Sequence, residues 1–272
     1  PGPGRFREFW QCDADTVGSA SPAADAEMIA MACAALEGLG LGGQYRLKIS
    51  TRTLLDGVLD QAGISEPRQR LGVLRAVDKA DKFSLADVRL LLGDGRKDES
   101  GDFTPGAKLN SAQTDAVLAL LSFGDGLGRS AVLDRVAALP GGEKAAQELA
   151  GINAVLSGLG ISDAQAAFDV SVVRGLEYYT GAVFEAELLG EFTDADGKLV
   201  RFGSVGGGGR YDDLVSRFKG EPIPATGFSI GVSRLASMLA LAEGLGSEKA
   251  RPVVILAFDQ ADMGDYFAMA QD

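Results

Sequence analysis

Between about Ile64 and Ser162 this sequence shows no strand alternation, although strand texture precedes that stretch and returns after it. Within it, apolar residues recur at helical spacing: Leu71, Leu74, Val77 and Ala80, then Val117, Leu118 and Leu121, then Val132, Leu133 and Val136. That pattern predicts a helical module rather than more sheet. The polar run Gly93–Asp102 between its helices is expected to be loop.

Ahead of the module, Phe6–Asp15 alternates bulky and polar residues and predicts a strand. Arg7, Phe9, Gln11, Asp13 and Asp15 then share one face, an unusual set for a core. Ser21-Pro22 predicts a helix start, with Asp25 and Glu27 in the first turn, an apolar face of Met28, Ile29, Ala32, Cys33 and Leu36, and a stop at Gly38 and Gly40. Tyr45–Ser50 reads as a strand and Leu54–Ala62 as a helix ending at Gly63. After the module, strands are expected over Phe168–Val173, Gly181–Leu189, Leu199–Val205 and Thr226–Ile230, with a turn at Asp194–Gly197 and a helix over Gly231–Leu245. The linker Gly246–Ala250 leads to a continuous apolar run, Val253–Phe258, of the kind a buried parallel strand shows, and a helix begins near Ala261. A βα unit that stops in its first helix is not a whole domain, so the sequence is expected to be a piece of a longer chain. The absence of a starting methionine points the same way.

None of the 272 residues is histidine. This removes Ser-His-Asp and Cys-His catalysis, histidine metal ligation and imidazole proton shuttling. Chemistry must run through arginine, carboxylates, tyrosine or backbone groups. With 26 basic and 38 acidic side chains the net charge is −12, which argues against generic adhesion to nucleic acid, although local basic patches are what hold phosphates. No apolar run approaches the ~20 residues of a membrane span. Cys12 and Cys33 cannot form a zinc cluster and do not resemble a disulfide framework, so a reducing, cytoplasmic compartment is expected and no metal ligands are assigned. The first residues lack the apolar segment of a signal peptide.

Three stretches could carry chemistry. Arg174-Gly-Leu-Glu-Tyr178-Tyr179-Thr-Gly181 reads either as a hairpin whose tyrosines pack across strands or as a guanidinium aimed at a phosphate or carboxylate, with phenols reading a polar ligand. Gly206–Gly209 followed by Arg210-Tyr211-Asp212 is neither a P-loop nor a dinucleotide fingerprint. It is either a flexible hairpin or a place where backbone approaches a ligand closely. Thr226–Ile230, Gly231 and a helix with Arg234 in its first turn would put a guanidinium beside a helix N-terminus, a setting that suits a polyphosphate. The plain alternative is a surface arginine that the helix dipole mildly disfavours.

Together these stretches resemble one family. Gly4–Asp15 resembles the end of motif 2 of the class II aminoacyl-tRNA synthetases, and Thr226–Leu235 resembles motif 3. Val173–Gly181 and Gly206–Asp212 resemble the two histidine-specific signatures of the histidyl-tRNA synthetases. The order is the family's, and a helical insertion lies where the family has one. The resemblance implies an α+β fold: an antiparallel sheet flanked by helices, a helical insertion, and the start of an α/β anticodon-binding domain. It implies the boundaries 1–63 and 163–246 for the two parts of the catalytic core, 64–162 for the insertion and 251–272 for the truncated last domain.

The resemblance also implies the chemistry and its residues. Histidine and ATP, with Mg2+, would give histidyl-adenylate and pyrophosphate, and the histidyl group would pass to its tRNA. Gln11 would contact the backbone end of the amino acid, and Asp15 would accept the imidazole N–H. Tyr178 and Tyr179 would complete the imidazole pocket and Tyr211 would line the amino-acid site. Arg174 would lie against the α-phosphate and the reacting carboxylate, Arg234 would hold the terminal phosphates, and Arg5, Glu8 and Gly231 would belong to the ATP site. A homodimer is expected of the full-length enzyme. Motif 1, the first motif 2 arginine and the family's Thr-x-Glu loop would all precede Pro1, so full aminoacylation is not expected of this polypeptide alone. By analogy the insertion would lie near the tRNA acceptor stem, where Arg96 and Lys97 are candidate phosphate contacts; the acids around them favour an ordinary solvated loop. Two rivals keep the fold without the reaction: the synthetase-like regulatory subunit of ATP phosphoribosyltransferase and a sensor domain for uncharged tRNA. The presence of both Arg174 and Arg234 weighs against the first rival, and the complete Arg174–Tyr179 signature against the second.

Overall fold

Six strands drawn from both sides of the helical stretch assemble into one sheet. In the computed structural model, residues 7–80, 83–98, 100–121, 126–172, 178–190, 192–193, 199–200, 203–242 and 268–269 are described. The elements run β1 (Gln11–Val17), α1 (Pro22–Gly38), β2 (Tyr45–Thr51), α2 (Arg52–Gln61), α3 (Pro67–Val77), α4 (Leu85–Leu92), β3 (Gly95–Lys97), β4 (Phe103–Pro105), α5 (Ser111–Leu121), α6 (Arg129–Ala138) and α7 (Glu143–Gly158). They continue with β5 (Ala166–Phe168), β6 (Ala182–Leu188), β7 (Phe192–Thr193), β8 (Leu199–Val200), β9 (Ser204–Arg210), α8 (Asp212–Lys219), β10 (Ala225–Gly231) and α9 (Val232–Ala242). The large sheet has the order β1-β10-β9-β6-β2-β5 and is antiparallel throughout except for the β2–β5 pair.

Register gives this sheet two unlike faces. Ala14, Phe228, Gly208, Phe184, Ile49 and Phe168 stand opposite one another across the six strands, and their face is the apolar back. Gly208 lies between two aromatic neighbours: a methyl group there would stand 2.8 Å from the Phe184 ring and 2.7 Å from the Phe228 backbone. The glycine lets the Phe184 ring cover the strand that its neighbours leave bare. Helix α1 lies behind the sheet and against α7, burying Met28, Ile29, Ala32, Cys33 and Leu36. Ser21 caps α1 by accepting the Ala23 N–H at 3.2 Å, with Pro22 in the first turn, as the sequence requires.

Four sequence expectations need correction, one of them the strand at Phe168–Val173: the strand is β5, Ala166–Phe168, and it ends where that expected stretch begins. The first strand begins at Gln11, later than the alternation implied, and runs on to Val17. Leu199–Val205 is not one strand: Leu199–Val200 belongs to a separate two-stranded ribbon with β7, while Ser204 starts β9 and the four glycines lie inside that strand. The polar run Gly93–Asp102 is not plain loop, because β3 and β4 form a small hairpin there. The Asp98 carboxylate shapes its turn by accepting the N–H groups of Ser100 and Asp102, both at 2.9 Å, a local bond pattern that apolar periodicity does not register. The expected turn at 194–197 and strand at 253–258 lie outside the described residues.

Two buried polar contacts join the layers behind the sheet. Arg210, at the end of β9, meets Asp25 of α1 through Nε at 3.1 Å and a terminal nitrogen at 2.7 Å, and also bonds the Ser19 and Ser21 carbonyls. Burial pushes the Asp25 carboxyl up from its usual range even against this guanidinium. On α7, Glu148 accepts the Thr51 hydroxyl at 2.7 Å, and burial raises its pKa as well. Removing one partner of a buried ion pair leaves the other uncompensated. Arg210→Met should therefore lower the unfolding free energy by about 3–5 kcal/mol, while Arg210→Met with Asp25→Leu should recover most of it, as read by chemical denaturation. For Glu148 the folded-state pKa lies above the unfolded one, so its contribution is complete at low pH and is lost as pH rises through the raised value. Thermal melts from pH 4 to pH 8 should show Glu148→Gln gaining on the natural protein as pH increases; a constant difference would mean that this carboxyl does not titrate late.

Candidate active site

The front of the sheet is where polar side chains collect. Gln11, Asp13 and Asp15 alternate onto this face of β1, opposite Gly231, Ser229 and Gly227 of β10. Gly227 and Ser229 face Gly209 and Gly207 of β9. The middle of the face is thus floored by backbone. Each glycine exposes peptide surface to whatever lies above it, at a cost of roughly 0.5–1 kcal/mol in chain entropy.

At one end of this floor a carboxylate and two rings converge. The Tyr211 hydroxyl donates a short hydrogen bond to Asp15 Oδ1. Burial first, then that bond and the Asp15 charge, raise the Tyr211 pKa well above the usual tyrosine range, so it remains a neutral donor. Gly227 makes room for the carboxylate: a methyl group there would stand 2.7 Å from Asp15 Cγ. Gly209 does the same for Tyr179, whose ring carbons would lie 2.9 and 3.0 Å from a methyl at that position. Tyr178 stacks obliquely on Tyr179, ring centroids 4.3 Å apart, and is 45% exposed. The Tyr179 ring is set by main-chain bonds beside it, since Thr180 donates its N–H to the Arg210 carbonyl at 2.8 Å.

The other end lies four residues along β1, ~13 Å away at strand rise. There Gln11 Nε2 donates to Ser229 Oγ at 2.7 Å. Arg234 stands in the first turn of α9 with its Nε buried, and its Cβ is 3.6 Å from where a Gly231 side chain would begin. The Trp10 N–H donates to Ser233 Oγ at 2.9 Å, which ties the start of β1 to the same helix end. The structure therefore sets Gln11 and Asp15 on one face, with Tyr178, Tyr179 and Tyr211 at the Asp15 end, and starts the helix of Arg234 at Gly231, the register partner of Gln11. Glu8 is exposed just ahead of β1. Arg5 and Arg174 lie outside the described residues.

Some residues gained roles that sequence reading missed. The glycines of β9 and β10 receive Tyr179 and Asp15 as well as exposing backbone. Arg210, inside the second signature, points away from the front face and serves the buried pair with Asp25. Arg96 ties the hairpin to α4: its Nε donates to Asp87 of that helix at 2.7 Å and its guanidinium lies 4.7 Å from the ring centroid of Phe83 just ahead of it, while Lys97 is exposed. A signal for Glu148 was available, since it falls on the helical stripe of Ala145, Leu149 and Ile152, where a charge needs a reason.

Fold and front face together define a synthetase-type catalytic core. A family model described as "Histidyl-tRNA synthetase" matches residues 1–235. A histidine–tRNA ligase of Caulobacter vibrioides is 58% identical over 99% of this chain, and one of Brucella ovis is 52% identical over all of it. A crystal structure of histidyl-tRNA synthetase from Nostoc sp. PCC 7120 superposes with a TM-score of 0.73 and 28% identity, covering 98% of this chain and 59% of that one. The chain belongs to the histidyl-tRNA synthetase family. It spans 56% of the length of the two ligases, a little over half. Among the described residues no helix is long and apolar enough to cross a membrane.

The Asp15–Tyr211 contact is open to a direct check without any ligand. In a spectrophotometric titration, Tyr211→Phe should remove a late-ionising phenol and leave the amplitude near pH 10 unchanged. Asp15→Asn should bring that phenol part of the way back toward the ordinary range, the remainder being burial.

Proposed function

We propose that this chain supplies the histidine and ATP sites of a histidine–tRNA ligase. The observation that carries the reading is the single strand face on which Asp15, held by a neutral phenol, lies ~13 Å along β1 from Gln11, whose register partner Gly231 leads into the helix that bears Arg234. That span suits an amino acid joined to a nucleotide. Asp15 Oδ1 accepts the Tyr211 hydroxyl hydrogen bond, and its second oxygen is available to an imidazole N–H, with Tyr179 and Tyr178 closing the sides. Once a bound ligand shields the carboxylate from water, a ligand that lacks the N–H leaves it unpaired and is rejected. Gln11 meets the backbone end of the amino acid.

In the reaction a carboxylate oxygen of histidine attacks the α-phosphorus of ATP, the bond to the β-phosphate oxygen breaks, and pyrophosphate leaves with its electron pair. The terminal ribose hydroxyl of tRNA then attacks the histidyl carbonyl, AMP departs, and the hydroxyl proton is lost. Such displacements need positioning and cationic charge more than proton transfer, which suits a chain without histidine. Arg234 holds the terminal phosphates, aided by the α9 N-terminus. By position in the family's signature, Arg174 belongs at the α-phosphate, with Arg5 and Glu8 at the nucleotide. Mg2+ would enter with the ATP phosphates and neutralise part of their charge. The tRNA, a homodimeric assembly and a cytoplasmic setting complete the reading.

The test is histidine-dependent ATP–pyrophosphate exchange by a protein that carries this chain at the full length of its relatives. Asp15→Asn should raise the histidine KM about 10- to 100-fold with the ATP KM unmoved, the size expected for one hydrogen bond to a charged group. Arg234→Ala should act on ATP instead. A folded protein that binds histidine without exchange would be a binding module, and this reading would fall.

A further inference from the structure

The carboxylate of Glu148 lies behind the tyrosine segment and takes no part in the reaction just described. Its helix brings it under the sheet, because Ala145, Leu149 and Ile152 on the same stripe are fully buried. One oxygen accepts the Thr51 hydroxyl, and Thr51 is the register partner of Ala182, the first residue of β6. The other oxygen stands against Gly181, where a methyl group would be 2.9 Å from Glu148 Oε1 and 3.0 Å from Arg210 Cδ. Gly181 is thus supported from below by two side chains, while its carbonyl accepts the Arg52 N–H at 2.8 Å. Thr180, next to it, bonds the Arg210 carbonyl, and its hydroxyl accepts the Asp212 N–H at 3.2 Å. Tyr179 precedes Thr180 and Tyr211 follows Arg210. A chain of contacts therefore runs from α7 to both ends of the tyrosine pocket.

We propose that Glu148 is a positioning residue for the amino-acid pocket, fixing the height of Thr180–Gly181 and thereby the separation of Tyr179 from Tyr211. The proposal rests on the reading of the front face as a histidine site. Its geometry explains why position 181 holds glycine, since any side chain would displace the carboxylate or the guanidinium below. It also gives α7 a share in ligand recognition, although no family signature lies on that helix.

The experiment is the exchange assay in the same full-length protein, with histidine and ATP varied separately. Glu148→Ala should raise the histidine KM on the order of tenfold and leave the ATP KM within about twofold, the scale of a misplaced binding group. Glu148→Gln should recover most of the loss, because it keeps an acceptor for the Thr51 hydroxyl. If the alanine variant does not fold, Thr51→Val and Thr51→Ser provide the same comparison, with valine raising the histidine KM and serine restoring it. An unmoved histidine KM, or equal rises in both constants, would overturn the positioning role while natural exchange left the histidine reading standing. No histidine-dependent exchange by the natural protein would sink both.

Discussion

Two aromatic rings rest on opposite faces of one glycine strand, and the site depends on both. Phe184 covers Gly208 from the apolar side and Tyr179 covers Gly209 from the polar side. Side chains on β9 would force the rings off and close the floor between them. The glycines weaken the strand in its own right, so neighbouring strands and rings must hold it flat. Antiparallel pairing to β6 and β10 supplies the backbone bonds, and the Arg210–Asp25 pair anchors the strand's last residue to α1. The front face can then be bare where a ligand must lie close, without a collapse of the sheet beneath it.

Much of this was legible in the residues. The alternation of Gln11, Asp13 and Asp15 gave their common face directly, because side-chain direction in a strand has a period of two. Ser21-Pro22 marked a helix start for reasons of capping that are local to those residues. The glycine run was harder. Glycine has no side chain to alternate, so pattern reading offered hairpin and close approach equally, and only the pairing of Gly206–Gly209 with β6 and β10 decides it. Arg210 was hidden for a different reason. Its neighbours Gly209 and Tyr211 serve the front face, and the partner that turns it to the back, Asp25, is 185 positions away. Sequence spacing does not record contacts of that range.

The two ends of the front face differ in how they are made specific. At the Asp15 end, the proposed selection would come from a carboxylate whose orientation is fixed by a phenol that stays protonated, a polar pair that loses most when one partner is unmatched. At the Arg234 end, a helix terminus and a cation favour any anion of the right extent, and shape must do the rest. On the proposed reading, the ligand that satisfies both is an amino acid with a ring N–H at one extremity and phosphate at the other. Neither end alone points to that, which is why single motifs left alternatives open and the proposal rests on the two ends together.

The buried charges behind the sheet bear on this division. Asp25, Arg210 and Glu148 come from three elements, α1, β9 and α7, and converge beneath the segment that holds the tyrosines. An apolar replacement of the Arg210–Asp25 pair could match or exceed its stability, since desolvation offsets much of the attraction. Stability alone therefore gives no reason for charges here. Geometry does: a guanidinium makes several bonds in fixed directions, and here it binds the Ser19 and Ser21 carbonyls and the Asp25 carboxylate at once. Apolar packing tolerates small slides between layers, whereas this set of bonds does not. A pocket that must keep Tyr179 and Tyr211 at a constant distance across a glycine floor, which supplies no side-chain interlocking of its own, needs that rigidity from below.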